Sequence, residues 1–266
     1  MAKVTINTFI EKKKRSEKLA LLTAYDYPFA KILDEAGIDA VLVGDSLAMI
    51  VQGLENTLSV TMDEMVYHTR IVSRAVNNAM VIADMPFMSY QPSVEDAVRN
   101  AGRFIKEGTA QAVKIEGGIE VIPKVKAIVE AEIPVMAHIG LTPQSIYKMG
   151  GFKVQGKDDI AKAKLIEQAL KLQDAGAFSI VLEALPMALA ANITKELTIP
   201  TIGIGAGACC DGQILVLHDV IGLFDRFVPK FVKQYVNLKK QTISAVNDYI
   251  KEVKEGTFPS EKESFK

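Results

Sequence analysis

Four acids in this sequence each close a short apolar run: Asp45 in "AVLVGDSLAM", Asp84 in "MVIAD", Glu116 in "AVKIEGG" and Glu183 in "VLEALP". A charge at the end of an apolar strand is costly unless something uses it. Several carboxylates sharing one dry pocket raise each other's pKa, and a divalent cation removes that conflict. Carboxylates without a Cys or His cluster favour a hard cation such as Mg²⁺. Asp45 and Asp84 are the first candidates for its ligands, with Glu116 acting directly or through water. Lys114 stands two residues before Glu116, so on a strand both side chains face the same side. Its ammonium suits a substrate carboxylate or an enolate oxygen. Glu183 is either a further metal ligand or a general base with its pKa raised toward neutrality. A carbonyl on a metal next to a free carboxylate base is a layout for proton abstraction. Ser46 binds substrate through its hydroxyl or caps a turn. His138 is a hydrogen bonder of the site or a packing residue, and His218 and Asp219 belong to the site or to a turn. His68 lies inside a helical pattern and reads as structural or surface.

A lone acid at a strand end is usually a helix cap or a loop acid. The case for a site comes from the elements that carry these residues. Eight short, apolar runs recur: Leu21–Ala24, Ala40–Val43, Met80–Ala83, Ala112–Ile115, Pro134–Ala137, Ser179–Leu182, Thr201–Ile204 and Ile214–Leu217. Six end on polar or charged residues. Helical stretches separate many of them. Thr61–Val76 opens with a Thr-x-x-Glu capping box, Ser93–Gly108 has Ser93 as its cap, and Asp158–Gly176 shows helical apolar spacing. Gly37, Gly108 and Gly176 follow three of the helices and precede strands. Strand, helix, glycine, strand is the unit of a parallel sheet. Eight such strands predict an α/β fold, a (β/α)₈ TIM barrel, whose active site lies at the C-terminal ends of the strands. An open doubly wound sheet is the alternative. No full helix fits between strands seven and eight. The long Leu141–Asp158 loop reads as a lid, and "GIGAGA" (Gly203–Ala208) as a weak phosphate-loop signal or close backbone packing. Phe231–Glu255 reads as an outer amphipathic helix followed by a polar tail, and residues 1–266 as a single domain.

The 31 Lys+Arg and 32 Asp+Glu leave a net charge of −1 over 266 residues, which points away from nucleic acid and anionic membrane and toward a small-molecule ligand. Cys209 and Cys210 are adjacent and form neither a disulfide framework nor a CxxC metal pair. The first 18 residues have no apolar core, so no signal peptide is expected, and no run approaches the roughly 20 apolar residues of a membrane span. A cytoplasmic protein is the expectation.

Long blocks of the chain resemble the ketopantoate hydroxymethyltransferase family: "LTAYDYPFA", "VLVGDSLAMIVQGLENTLSVTMDEMVYHT", "ADMPFMSY", "VKIEGG", "AHIGLTPQS", "VLEALP" and "IGIGAGACCDGQILVLHDVIG". The resemblance implies a barrel of the phosphoenolpyruvate mutase/isocitrate lyase group, Mg²⁺, and the substrates 3-methyl-2-oxobutanoate and 5,10-methylenetetrahydrofolate. It assigns metal binding to Asp45, Asp84 and Glu116, and keto-acid contacts to Ser46, Lys114, the metal-binding aspartates and His138. Glu183 becomes the proton acceptor. It also implies a homo-oligomer, commonly a decamer. A Mg²⁺-dependent lyase or mutase of the same barrel group is an alternative, although no Lys-Cys-Gly-His-like segment is present. A metabolite-binding protein without catalysis is another.

Overall fold

The computed structural model describes residues 3–151, 153–224 and 228–266. These fall into two compact units, Met1–Val216 and Leu217–Lys266. The first is a closed parallel barrel of eight strands in sequence order: β1 Leu19–Thr23, β2 Ala40–Val43, β3 Met80–Asp84, β4 Ala112–Glu116, β5 Val135–Gly140, β6 Ser179–Glu183, β7 Thr201–Ile204 and β8 Gly212–Leu215. All eight expected strands exist. The eighth runs two residues earlier than Ile214–Leu217. Its register on β1 explains the shift: Leu19 pairs with Gly212 and Leu22 with Leu215. Gly212 approaches β1 so closely that a Cβ there would lie 2.6 Å from the Leu19 carbonyl oxygen.

The helical expectations hold where a cap is written locally. Thr61 and Glu64 form a reciprocal capping box on helix Met62–Ala75, Ser93 caps Val94–Lys106 and Asp158 caps Asp159–Asp174. Each side chain satisfies a backbone N–H that the first helical turn leaves unpaired. Seven residues join β7 to β8 without a helix, as expected, and the "GIGAGA" run supplies the end of β7 and the start of that connection.

Inward-facing positions alternate along each strand. Their lower layers are apolar: Leu19, Leu21, Ala40, Leu42, Met80, Ile82, Ala112, Met136, Val181, Ile202 and Ile214 belong to one buried cluster. The N-terminal helix Ile6–Lys14 closes the N-terminal end of the barrel. Its Phe9 is fully buried in that cluster and meets Phe178 edge-on, ring centroids 5.6 Å apart. Lys12 pairs with Asp39, and Lys13 with Asp211 at 2.7 Å. Phe9 thus fills the N-terminal end of the barrel.

In the second unit, a short helix, Leu217–Val220, carries His218 and Asp219. The C-terminal helix spans Leu238–Glu255 and not Phe231–Glu255. Asn237 starts it, accepting a hydrogen bond from Lys240 N at 2.9 Å, and Gly256 ends it in the left-handed conformation.

Candidate active site

Three of the strands turn from apolar to polar toward their C-terminal ends. The inward column of β3 reads Met80, Ile82, Asp84; that of β4 reads Ala112, Lys114, Glu116; that of β5 reads Met136, His138. Register aligns the polar layer: Asp84 pairs with Lys114, and Glu116 with His138. Asp45 joins from the turn after β2, its backbone N–H donating to Asp84 Oδ2 at 3.2 Å. Glu183 ends β6 opposite Gly140. Asp45, Asp84, Lys114, Glu116, His138 and Glu183 are thus brought to one mouth.

Lys114 sits at the centre of this layer and is buried. Its Nζ is 2.9 Å from Asp84 Oδ1, 3.3 Å from Glu116 Oε1 and 3.2 Å from His138 Nδ1. His138 Nδ1 lies 3.3 Å from Glu116 Oε1, and its Nε2 faces Glu183 Oε2 at 3.2 Å. One oxygen from each of Asp45, Asp84 and Glu116 lies within 4.8 Å of the others, and all three residues are buried.

Their protonation differs sharply. Burial, then the charges of Asp84 and Glu116, push the Asp45 carboxyl well above the usual range. Burial also raises Asp84, against the opposing pull of Lys114. For Glu116 burial works in the same direction, but Lys114, His138 and the Gln144 N–H outweigh it and hold the group at about 2. Burial and Lys114 oppose protonation of His138, yet Glu116 and Glu183 raise it to about 9. Lys114 is raised despite burial by Asp84, Glu116 and Asp45. The cluster is therefore short of positive charge at Asp45 and Asp84. Clustered carboxylate oxygens without thiolate suit a hard divalent cation, so the residues fit Mg²⁺.

Ser46 does not cap the turn it opens: no side-chain cap bond exists at helix Leu47–Ile50. Its Oγ lies 2.7 Å from the hydroxyl of buried Tyr25. His68 has a structural contact, its Nδ1 2.6 Å from the Tyr25 carbonyl oxygen.

Two site residues escaped the sequence reading. Gln144 follows β5 within the stretch expected to be a lid, and it is buried, as are Leu141 and Thr142. The lid expectation therefore does not apply to the first residues of Leu141–Asp158; Phe152 lies outside the described residues. Gly140 makes this possible, with φ +99° and a position where a Cβ would be 2.2 Å from the Glu183 carbonyl oxygen. Gln144 Nε2 donates to Asp45 Oδ2 at 2.9 Å, and its backbone N–H to Glu116 Oε2 at 3.2 Å. Buried Tyr90 places its hydroxyl 2.7 Å from Gln144 Oε1 and 2.9 Å from the Glu116 carbonyl oxygen. No periodicity or motif marks a glutamine four positions beyond a strand; only the "AHIGLTPQS" block contained it.

Residues 3–261 match the family described as ketopantoate hydroxymethyltransferase. The chain belongs to the ketopantoate hydroxymethyltransferase family. A 3-methyl-2-oxobutanoate hydroxymethyltransferase of Clostridium botulinum (strain Alaska E43 / Type E3) is 59% identical over 264 residues, covering 99% of this chain and 96% of the relative. One of Enterococcus faecalis (strain ATCC 700802 / V583) is 61% identical over 264 residues with the same coverage. Among solved structures, a phosphonopyruvate hydrolase aligns with TM-score 0.63 at 12% identity, over 98% of this chain and 93% of that one. A 2,3-dimethylmalate lyase of the phosphoenolpyruvate mutase/isocitrate lyase superfamily aligns with TM-score 0.59 at 17% identity, over 97% and 91%. At such identities these two establish the fold alone, and it is the barrel that the family resemblance implied. Among the described residues, no helix is long and apolar enough to cross a membrane.

Proposed function

We propose that this member of the family transfers a hydroxymethyl group from 5,10-methylenetetrahydrofolate to 3-methyl-2-oxobutanoate, giving 2-dehydropantoate. The observation that carries the reading is the buried trio Asp45, Asp84 and Glu116 beside a buried lysine, with Glu183 near the edge of the same mouth. Asp45 and Asp84, with Glu116, would hold Mg²⁺. When bound, Mg²⁺ polarises the 2-oxo group and makes the adjacent C3 proton removable. Lys114 offers a fixed cation for the keto-acid carboxylate, and Ser46 a hydroxyl held in place by Tyr25. Glu183 is the base for C3, steered by His138 through the 3.2 Å approach of Nε2. The carbanion so formed at C3 takes up the one-carbon unit of the folate: a carbon–carbon bond forms, the carbon–nitrogen bonds to the folate break to leave tetrahydrofolate, and one water supplies the hydroxyl of the new hydroxymethyl group. The plug formed by the N-terminal helix leaves the opposite mouth as the place where both substrates meet.

Enolisation needs no folate and can be followed alone, as exchange of the C3 hydrogen in deuterated water. Glu183→Gln keeps the shape and removes the proton acceptor. A general base contributes on the order of 10²–10⁴-fold, so exchange should fall within that range while keto-acid binding persists. Exchange within about threefold of wild type would place the base elsewhere, with His138 the next candidate.

A further inference from the structure

Gln144 has every polar atom of its side chain in use. Nε2 donates to Asp45 Oδ2 and to the Met85 carbonyl oxygen, each at 2.9 Å. Oε1 faces the Tyr90 hydroxyl at 2.7 Å and Gln91 Nε2 at 3.1 Å. The orientation of the amide follows from the Met85 side: reversed, its oxygen would face the Met85 carbonyl oxygen, which can only accept. The residue is only 6% exposed. Its partners come from the turn after β2 and the loop after β3, and its backbone N–H reaches Glu116 at the end of β4.

We infer that Gln144 is a positioning residue of the metal site: its amide fixes the rotation of the Asp45 carboxylate, so that this group is oriented toward Asp84 and Glu116 before any ion arrives. Gln144 Nε2 donates one N–H to Asp45 Oδ2 and one to the Met85 carbonyl oxygen, which ties the rotation of the Asp45 side chain to a fixed backbone group. Tyr90 and Gln91 in turn hold the amide, because its oxygen can accept both. Partners of this kind around a metal-binding group typically affect metal affinity about 10–100-fold. The inference rests on the metal reading above.

The test uses the full chain stripped of metal. Mn²⁺ affinity is measured by electron paramagnetic resonance, and Mg²⁺ dependence through C3 hydrogen exchange of the keto acid. Gln144→Met preserves length and packing but donates nothing. It should bind Mn²⁺ about 10–100-fold more weakly and need correspondingly more Mg²⁺, with exchange at saturating Mg²⁺ close to wild type. Tyr90→Phe, which keeps the ring, should show a smaller loss in the same direction, and it decides the matter if Gln144→Met fails to fold. Wild-type Mn²⁺ affinity in both variants overturns the inference and leaves the metal reading standing. A deficit that no Mg²⁺ concentration repairs also overturns it, in favour of a purely structural role. Failure of the wild-type protein to bind Mn²⁺ or Mg²⁺ overturns the metal reading and this inference together.

Discussion

Lys114→Met removes the one lysine from a buried layer of acids. Its ammonium lies 2.9 Å from Asp84 and 3.3 Å from Glu116, all with side chains at most 5% exposed. Two routes give the size of the effect. Breaking a buried pair by deleting one partner costs about 3–5 kcal/mol, because a charge is left behind without compensation. Independently, Glu116 falls from an ordinary 4.5 to about 2 in the folded chain. A shift of that size is worth about 3 kcal/mol above the carboxylate range, and Lys114 is the foremost attraction behind it. The sign follows. Glu116 is depressed on folding, so its contribution is present above its unfolded value and is lost as pH falls toward about 2. In the variant, burial acts without the lysine and raises Glu116 and Asp84, which penalises folding at high pH and ceases to once they protonate. The difference between wild type and Lys114→Met should therefore be about 3 kcal/mol at pH 8 and shrink as pH falls through the carboxylate range. Urea unfolding with chelator present, followed by far-UV circular dichroism at pH 8 and pH 5, measures it. A difference below about 1 kcal/mol at pH 8, or one that grows toward pH 5, would refute the reasoning.

Asp34 accepts from the backbone N–H groups of Asn77, Asn78 and Ala79 and from Asn78 Nδ2, at 2.7–3.1 Å. Burial opposes its ionisation, but these donors prevail and hold it below the usual value. Asp34→Ala should cost about 2–4 kcal/mol in urea unfolding by stranding the donors ahead of β3, and the wild-type advantage should fade as pH drops below the ordinary aspartate range. Gly140→Ala forces a side chain into a left-handed position, worth on the order of 1–3 kcal/mol, and against the Glu183 carbonyl. Loss of C3 exchange alongside the lowered stability is expected, and wild-type exchange would show that the segment after β5 is not held by that close approach. Phe9→Ala should destabilise by about 3–5 kcal/mol, while the surviving folded protein keeps its Mg²⁺ requirement, measurable as activity against metal concentration.

The barrel was legible because its signals are local. Apolar runs of four residues, a Thr-x-x-Glu box at Thr61 and caps at Ser93 and Asp158 each act within one element, and eight strands with helices between many of them leave few topologies. The acidic strand ends were legible for the same reason: alternation along a strand puts Lys114 and Glu116 on the side of Ala112, inside. Less local features were misplaced. The start of β8 depends on pairing with β1, nearly 200 residues away, and the start of the C-terminal helix on which of several residues caps it. Gln144 was invisible because its partners lie at Asp45, Met85, Tyr90 and Glu116, and a glutamine on a loop has no pattern to betray it. The sequence by itself determined which acids stand at the mouth. Only the tertiary structure decided that Glu116 is ionised near 2 while Asp45 holds its proton well above the usual range. Desolvation and Coulomb interaction depend on distance through space, and no spacing along the chain encodes whether Lys114 or another carboxylate is the nearer neighbour.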